Sequence, residues 1–206
     1  MKLLYPFNLV LIFLALVSSS PAAPAGADAS IQTYFIDVHE FGPGKVSAAG
    51  VAEAHAKDLA VQEKHGVRFL DYWVDEEHGR VYCLSTAPNA PSVAATHREA
   101  HGLMPATILP VTSGVAVPTS SGRQLFIDVH EFGAGNVTAQ AVAEAHQKDL
   151  VVEGEFGVHF LNYWVDEVNG KVLCLSEAPN AEAVRETHRK AHGLLPATIG
   201  LVKSGK

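Results

Sequence analysis

The sequence predicts an α+β protein made of two tandem βαββαβ domains, and three observations lead to this prediction. First, the segment DVHEFG at residues 37–42 recurs without a gap at residues 128–133. Second, residues 35–111 and 126–202 are identical at 51 of 77 aligned positions, which indicates a duplicated domain and not an array of short repeats. Third, 48% of the 206 residues are hydrophobic and 18% are charged, which is enough apolar material for a folded core.

The N-terminal residues 1–29 have the composition of a signal peptide. One early cation, Lys2, precedes an apolar run at residues 9–17, and serine residues follow the run. The run is shorter than the roughly 20 residues that span a bilayer, and small-residue triplets favour cleavage after Ala27 or Ala29. We therefore expect a secreted or periplasmic protein without membrane association after cleavage. An uncleaved N-terminal anchor is the alternative.

The first strand and helix of the first copy are marked by composition and by turn residues. Residues 33–41 are typical of a strand and end at a Gly-Pro-Gly turn. Ser47 is suited to cap a helix, because its hydroxyl can accept a hydrogen bond from the first helical turn. The helix should run to about His65 and end at Gly66.

A hairpin and a second helix complete the copy. The aromatic and β-branched segments 67–75 and 81–85 flank a turn, which the second copy repeats with an Asn-Gly pair. Asn89 should cap a helix that ends at His101, just before a glycine. Residues 106–111 form a last short strand.

The order βαββαβ matches the ferredoxin-like split βαβ unit, which usually forms a four-stranded antiparallel sheet with both helices on one face. The other sheet face would expose Phe69 and, depending on register, Trp73 or Tyr72. We expect the second copy to cover this face, so that the two sheets pack together as a pseudo-dimer within one chain. Further oligomerisation is compatible with this arrangement but not required by it.

The predicted domain boundaries follow from the repeat. The first ferredoxin-like domain spans residues 30–111 and the second spans residues 123–206. Residues 112–122, rich in Ser, Thr, Gly and Pro, form the predicted linker. A domain of roughly 80 residues buries only about 60% of its surface alone, so such units gain stability from pairing.

Charge and composition exclude one class of partner and favour another. With 15 Lys and Arg against 22 Asp and Glu, the net charge is −7, so no basic surface is available to neutralise a nucleic acid backbone. Eleven histidines beside two cysteines indicate metal or proton chemistry and not a disulfide scaffold.

The histidines follow the duplication. His97 and His101 are four residues apart, so both rings project from one helix face and can bind one ion. His55 shares an apolar helix stripe with Val51 and Leu59. A buried imidazole without a partner costs about 1–3 kcal/mol, which either a metal or a structural hydrogen bond would offset. Eight histidines are matched between the copies, namely His39/His130, His55/His146, His97/His188 and His101/His192, and three are not and are expected to be solvated, namely His65, His78 and His159.

Strand alternation places Asp37 and His39 on one face of the first strand and Ile36 and Val38 on the other. If the aliphatic pair faces the helices, the polar pair faces the opposing sheet. The third strand should lie beside the first and bring Cys83 close to the polar pair, which permits a mixed N, O and S site at the domain interface.

The two cysteines, Cys83 and Cys174, are equivalent in the two copies and have three interpretations. Each is a small buried residue without a function, or the two form a disulfide across the copies, or both bind metal as thiolates.

Four segments of the first copy, DVHEFG, VAEAHAKDL, YWVDEEHGRVYCL and APNAPSVAATHREAHGL, resemble a family of small bacterial nickel-binding proteins with a ferredoxin-like fold. The resemblance covers nearly all of residues 31–111 and 122–203, and it implies nickel binding without an established reaction. The fusion of two copies and the export signal depart from the single, dimerising domains of that family, so a sequestering role outside the cytosol fits better than a cytosolic nickel buffer. The candidate ligands that the resemblance implies are His39, Glu40, His55, Cys83, His97, His101, His130, Glu131, His146, Cys174, His188 and His192.

The predicted function is that of an exported protein that binds a late first-row divalent ion at the histidines of each repeat. Imidazole-rich sites accept nickel, zinc and copper alike, so the residues alone do not name the metal. Binding should weaken as the pH falls through about 6.5, because a protonated imidazole cannot ligate. The alternative is a dimeric αβ-barrel-like enzyme or a small-ligand or haem-binding protein, which rests on architecture only. No catalytic triad, phosphate loop or HExxH motif in the sequence predicts a reaction.

Overall fold

The computed structural model of the chain describes residues 32–114, 116–119 and 122–206. The predicted signal peptide therefore lies outside the described residues. Within them the chain forms eight β-strands, four α-helices and two short 3-10 helices. None of these helices is long and apolar enough to cross a membrane.

The first repeat has the predicted order of elements. The Ser47 hydroxyl accepts a hydrogen bond from the Gly50 amide (3.2 Å) and so caps the first helix, as predicted. Gly66 ends the helical segment with a φ of +67°, a conformation that favours glycine. The elements are β1 Thr33–Glu40, α1 Ala48–Val61, a 3-10 helix Gln62–His65, β2 Arg68–Asp75, β3 Arg80–Ala87, α2 Ala90–Ala100 and β4 Thr107–Ser113.

The second repeat forms the same elements in the same order. The Asn180 side chain accepts a hydrogen bond from the Ala183 amide (2.9 Å) and caps the last helix, as its counterpart Asn89 does in the first repeat. The elements are β5 Gln124–Glu131, α3 Ala139–Val152, a 3-10 helix Glu153–Phe156, β6 His159–Asp166, β7 Lys171–Ala178, α4 Ala181–Ala191 and β8 Thr198–Gly205.

The eight strands close into one antiparallel barrel in the order β1-β3-β2-β8-β5-β7-β6-β4. The α+β class is thus confirmed, but the sheets join through their edges and do not only face each other. Strand β2 pairs with β8, with Trp73 opposite Ser204, and β4 pairs with β6, with Thr112 opposite Val165. Closure satisfies backbone groups that an edge strand leaves unpaired. For the same reason β4 continues to Ser113, two residues into the segment predicted as linker.

The barrel interior is one apolar core shared by both repeats. Trp73 and Trp164, one from each repeat, lie at its centre with ring centroids 5.1 Å apart. Ile36 of β1 and its counterpart Ile127 of β5 pack in the same core. Neither repeat therefore has an apolar interior of its own on this side of its sheet.

The orientation of β1 differs from the sequence-based expectation. Ile36 faces the barrel interior, and Asp37 and His39 consequently face the helices and not the opposing sheet. The physical reason is that helices α1 and α2 supply polar partners for these side chains, whereas the barrel interior is lined by apolar ones. The polar cluster therefore lies between sheet and helices within a repeat, and not at the interface between repeats.

A β-bulge in β2 decides which aromatic residues face the interior. Its register with β3 shifts between Phe69 and Asp71. As a result Phe69 and Tyr72 both pack on the helix side, while Trp73 faces the interior. The prediction for Phe69 was wrong because a regular strand puts residues 69 and 73 on the same face, and the bulge breaks that alternation.

The shared core makes a testable prediction for Trp164, which is 1% exposed. Trp164→Ala should lower the free energy of unfolding by about 3–5 kcal/mol because it opens a cavity in the core. Urea denaturation followed by circular dichroism should show a single transition for wild type and variant. Val168→Ala, on a side chain that is 68% exposed, is the control and should shift stability by no more than about 0.5 kcal/mol. Two separate transitions would contradict a core common to both repeats.

Candidate metal centre

A cluster of buried polar side chains lies between the sheet and the helices of each repeat. In the first repeat β1 contributes Asp37 and His39, and β3 places Cys83 directly opposite Asp37. One potential ligand atom from each of these three residues lies within 4.8 Å of the other two. The prediction that Cys83 lies beside the polar pair of β1 is therefore confirmed, although on the helix side of the sheet.

The buried imidazole of His97 connects the sheet to the first helix. Its Nε2 lies 3.1 Å from Asp37 Oδ2 on β1, and its Nδ1 lies 3.0 Å from Asp58 Oδ1 on α1. The other oxygen of Asp58 lies 3.1 Å from His101 Nε2. Asp37 Oδ2 also lies 3.1 Å from His39 Nε2. Two aspartates and three imidazoles thus form one continuous polar chain.

His101 lies at the outer end of this set of polar contacts, and its hydrogen bonds determine which of its ring nitrogens carries the proton. The Leu103 amide donates a hydrogen bond to His101 Nδ1 (3.0 Å), so this nitrogen is an acceptor. The proton of His101 therefore resides on Nε2, from which it is donated to Asp58. The second repeat repeats the arrangement with Leu194 and His192 (3.1 Å).

The second repeat brings four potential ligands together. His188 Nδ1 lies 3.0 Å from Asp149 Oδ1, which holds the ring in place. His188 Nε2 lies 3.4 Å from Asp128 Oδ1 and makes no hydrogen bond to a described residue. This cluster is therefore less closed by internal hydrogen bonds than the first. The four residues with ligand atoms within 4.8 Å of one another are Asp128, His130, Cys174 and His188.

Two carboxylates hold each central imidazole in its charged form. Burial opposes the charge of His97, but hydrogen bonds to Asp37 and Asp58 outweigh burial and raise the pKa of His97 to about 9. The equivalent contacts raise the pKa of His188 to about 10 against the same effect of burial. Burial would raise the pKa of Asp128, yet its histidine partners lower it to about 2. Each cluster without a metal thus holds a proton between two anions.

The cysteines are buried free thiols, so the two copies are not joined by a disulfide. Burial, followed by the charge of Asp37, raises the pKa of the Cys83 thiol well above its ordinary value. Burial and Asp128 do the same for Cys174. A thiol of this kind is unreactive. It becomes a thiolate when a nearby cation compensates the charge, as a bound metal ion does.

Several buried polar atoms in the clusters have no hydrogen-bond partner among the described residues, and they recur in both repeats. They include Asp37 Oδ1 and His39 Nδ1 in the first repeat, and both oxygens of Asp128 with His130 Nδ1 in the second. Each unpaired buried atom costs about 1–3 kcal/mol, so such atoms indicate a missing partner. Nitrogen, oxygen and sulfur donors around one point suit a late first-row divalent cation. The residues present therefore fit a metal ion.

Some predicted ligands lie elsewhere. Glu40 and Glu131 are on the strand face opposite to the clusters, where they lie near Arg80 (3.6 Å) and Lys171 (3.2 Å). His55 is buried beside the first cluster, but no ligand atom of this residue belongs to the group within 4.8 Å. Its counterpart His146 is half-buried and likewise belongs to no such group. His101 does lie with the polar cluster: Asp58, His97 and His101 form a second group of potential ligands with atoms within 4.8 Å of one another, as Asp149, His188 and His192 do in the second repeat.

The three unmatched histidines pair with carboxylates near the protein surface and are not only solvated. His65 contacts Glu99 at 2.9 Å and His78 contacts Asp75 at 2.8 Å. The third is His159, which lies 3.3 Å from the carboxylate of Glu153.

Four aspartates that complete the clusters are absent from the candidate ligands implied by the sequence resemblance. Two signals point to them: all four are identical between the copies, and Asp37 shares a strand face with His39. Asp58 on the first helix was missed because the apolar pattern placed Leu59, one position further along, on the buried face of that helix. Leu59 is 40% exposed, whereas Asp58 is 3% exposed. The four are Asp37, Asp58, Asp128 and Asp149.

Fold and clusters together define a duplicated α+β barrel protein with two neighbouring groups of potential metal ligands in each half. The chain belongs to the nickel responsive protein SCO4226-like family, whose model matches residues 35–111 and 126–202. The two matched segments coincide with the two repeats, and the family resemblance inferred from the sequence is confirmed. No curated protein matches the chain.

Comparison with solved structures gives one relative of substantial identity and several distant ones. SCO4226 from Streptomyces coelicolor A3(2) is 43% identical over 36% of this chain and 90% of its own, with a TM-score of 0.34. A putative monooxygenase from Lactobacillus acidophilus NCFM is 10% identical over 84% of this chain and 93% of its own, with a TM-score of 0.46. The putative chlorite dismutase TA0507 is 11% identical over 85% and 94%, with a TM-score of 0.45. At these scores the likenesses carry no functional argument.

The buried imidazoles make the stability of the metal-free protein depend on pH. The pKa of His97 rises from 6.5 to about 9 on folding, so its contribution is complete below pH 6.5 and is lost as the pH rises through 9. The contribution of the aspartates, whose pKa values are lowered, is lost instead as the pH falls below about 4. Calorimetry in EDTA should therefore show Tm decreasing between pH 6.5 and 9.5.

The control for this prediction is the double variant His97→Gln/His188→Gln. It should have a lower Tm at pH 6 and a flatter decline above pH 6.5, since glutamine carries no titratable proton. A decline as steep as that of the wild type would show that other groups set the pH dependence.

Proposed function

We propose that each repeat binds one late first-row divalent metal ion at its buried cluster, and that the physiological ion is nickel. The observation that carries this proposal is the set of four donor residues in the second repeat, one ligand atom from each lying within 4.8 Å of the others. Three of these residues, Asp128, His130 and His188, also have buried polar atoms without a hydrogen-bond partner among the described residues. The first repeat supplies the same residue types, namely Asp37, His39, Cys83 and His97.

The surroundings of the second cluster support this assignment. Metal-binding histidines usually donate the N–H of their other ring nitrogen to a carboxylate, which orients the ring and raises its basicity. His188 has this arrangement, with Nδ1 against Asp149 and Nε2 left toward the cluster. Asp149 is in turn held by His192 (3.2 Å). His192 thus positions Asp149, and with Asp149 and His188 it also forms a second group of potential ligands in this repeat.

The choice of nickel among the metals rests on the family. Imidazole, carboxylate and thiolate donors also accept zinc and copper, and copper binds most tightly at most such sites. The family is described as nickel responsive. We therefore propose nickel for this chain, with copper and zinc as competitors in the same clusters.

We further propose that the protein acts outside the cytosol, as a sequestering protein with two ions per chain. The proposal of export is supported by the composition of residues 1–29. In an oxidising compartment exposed cysteines form disulfides, whereas Cys83 and Cys174 are buried and shielded from oxidants.

Metal analysis of the full chain tests this proposal. Nickel titration followed by calorimetry and elemental analysis should give two ions per chain at pH 7.5. Asp128→Asn/His130→Ala should reduce the count to one, because it removes two donors of the second cluster only. Nickel bound by a thiolate should also give a charge-transfer absorption that Cys174→Ser weakens.

The matched control is Glu131→Gln, which removes a neighbouring carboxylate that lies outside the cluster. It should leave both the count and the affinity unchanged. An absence of saturable binding of nickel, zinc and copper, or a count that stays at two in Asp128→Asn/His130→Ala, would refute the proposed sites.

Metal affinity should continue to increase at pH values well above those at which ordinary histidines lose their proton. Binding through His188 Nε2 requires loss of a proton held with a pKa of about 10. The cysteine proton must be lost as well, so each proton released increases the apparent affinity about tenfold per pH unit below its pKa. Calorimetry in buffers of different ionisation enthalpy counts these protons. Affinity that is constant between pH 7 and 9 would exclude both groups as ligands.

A further inference from the structure

Each repeat contains a cavity between its first helix and the sheet. The cavity volumes are about 250 Å³ in the first repeat and about 310 Å³ in the second. The walls of the first are mostly apolar and include Phe41, Val51 and Leu103. Most of the polar part of its lining comes from the metal cluster, namely His39, Asp58, Cys83, His97 and His101. A water molecule occupies about 30 Å³, so the space greatly exceeds the needs of one ion. Mostly apolar cavities with a few polar groups are typical of small-molecule sites.

The wall of the first cavity holds a buried imidazole without a hydrogen-bond partner. His55 is 5% exposed, and its ring contacts Tyr72 (centroids 4.7 Å apart) and Phe69 (5.6 Å). No hydrogen bond between described residues involves its ring nitrogens, and neither nitrogen is among the fully buried unpaired atoms, so both are open to the cavity. Burial lowers the pKa of His55, so the ring is neutral near pH 7 and offers one donor and one acceptor. A ligand in the cavity would satisfy this ring.

The rim of the first cavity carries a cation that the second lacks. Lys45 lines the first cavity, is exposed, and forms no ion pair with a described residue. Its counterpart Asn136 is uncharged, and its side-chain amide donates a hydrogen bond to the Phe132 carbonyl (3.0 Å). The two cavities therefore share an apolar wall and an imidazole but differ in charge at the entrance.

We propose that the cavity of the first repeat binds a small organic carboxylate. Its apolar body fills the cavity, its carboxylate pairs with Lys45 at the rim, and a hydroxyl or carbonyl group hydrogen-bonds His55 inside. This inference goes beyond metal binding, because none of the three contacts requires a metal ion. The second cavity, without the rim cation, should bind the same compounds more weakly.

The test uses the full chain in EDTA and three probes: 4-hydroxyphenylacetate, benzoate and hexanoate. NMR titration with ¹³C-labelled histidine should show saturable binding, with Kd on the order of a millimolar or tighter for compounds of this size, and a shift of the His55 ring signals. Lys45→Met should weaken binding of 4-hydroxyphenylacetate about fivefold through loss of one charged contact. It should not affect the neutral 4-hydroxyphenylacetamide. Lys57→Met, on an exposed lysine of α1 outside the cavity lining, should leave both affinities unchanged.

A second pair of variants examines the imidazole. His55→Leu should weaken 4-hydroxyphenylacetate about fivefold, whereas His55→Gln should retain most of the affinity because glutamine keeps a donor and an acceptor. The inference is overturned if none of the three carboxylates shows saturable binding, or if binding is insensitive to Lys45→Met and to His55→Leu. Nickel titration of a separate sample of the same protein, freed of EDTA, keeps the two proposals distinguishable: failure to bind nickel would refute the metal site and leave the carboxylate site unaffected.

Discussion

The contact between a buried imidazolium and two buried aspartates fixes the centre of each repeat. In the first repeat His97 joins Asp37 on β1 to Asp58 on α1, so three secondary structure elements meet at one ring. Isolated buried charges are strongly unfavourable, and removal of one partner of such a set costs about 3–5 kcal/mol. The elements therefore cannot separate without exposing uncompensated charge. The pairing of β1 with β3 sets the spacing of His39 and Cys83 around Asp37 without a bound metal.

The same contact makes protons and metal ions compete for each centre. Without a metal, the proton of His97 neutralises part of the charge of its two aspartates. A divalent cation among Asp37, His39 and Cys83 would supply that positive charge instead, and would also permit ionisation of a thiol that is otherwise neutral. The first repeat closes the His97 contact at 3.1 Å, whereas the equivalent distance in the second is 3.4 Å. Repeats that share 51 of 77 positions thus give two centres of the same residue types with slightly different internal distances.

The sequence predicted the order of elements because their signals are local. Caps such as Ser47 and Asn89, the glycine at 66 and the alternation along β1 act over a few residues, and the structure has each of them. The edge pairing of β2 with β8 joins residues more than a hundred positions apart and leaves no local mark. The bulge after Phe69 likewise has no recognisable signal in the local sequence. The residue types of the site could be recognised in the sequence. The face of β1 that packs against the helices could not, because it depends on long-range packing.

The site was predictable in part for the same reasons. The spacing of His97 and His101 and the register of Cys83 opposite Asp37 were visible in the pattern. The role of Asp58 depended on whether residue 58 or 59 faced the sheet, a difference of one position in helix phase. Glu40 was included through a family resemblance, although alternation along the strand directs it away from His39.

The closure of the barrel has a consequence for how the protein matures. Strand β8 is the last element of the chain, and it is hydrogen-bonded both to β5 of its own repeat and to β2 of the other. Until β8 is in place, the edge of β2 that pairs with it has unpaired backbone groups. Loss of β8 alone would therefore open the barrel and expose an edge in each repeat, β2 in the first and β5 in the second.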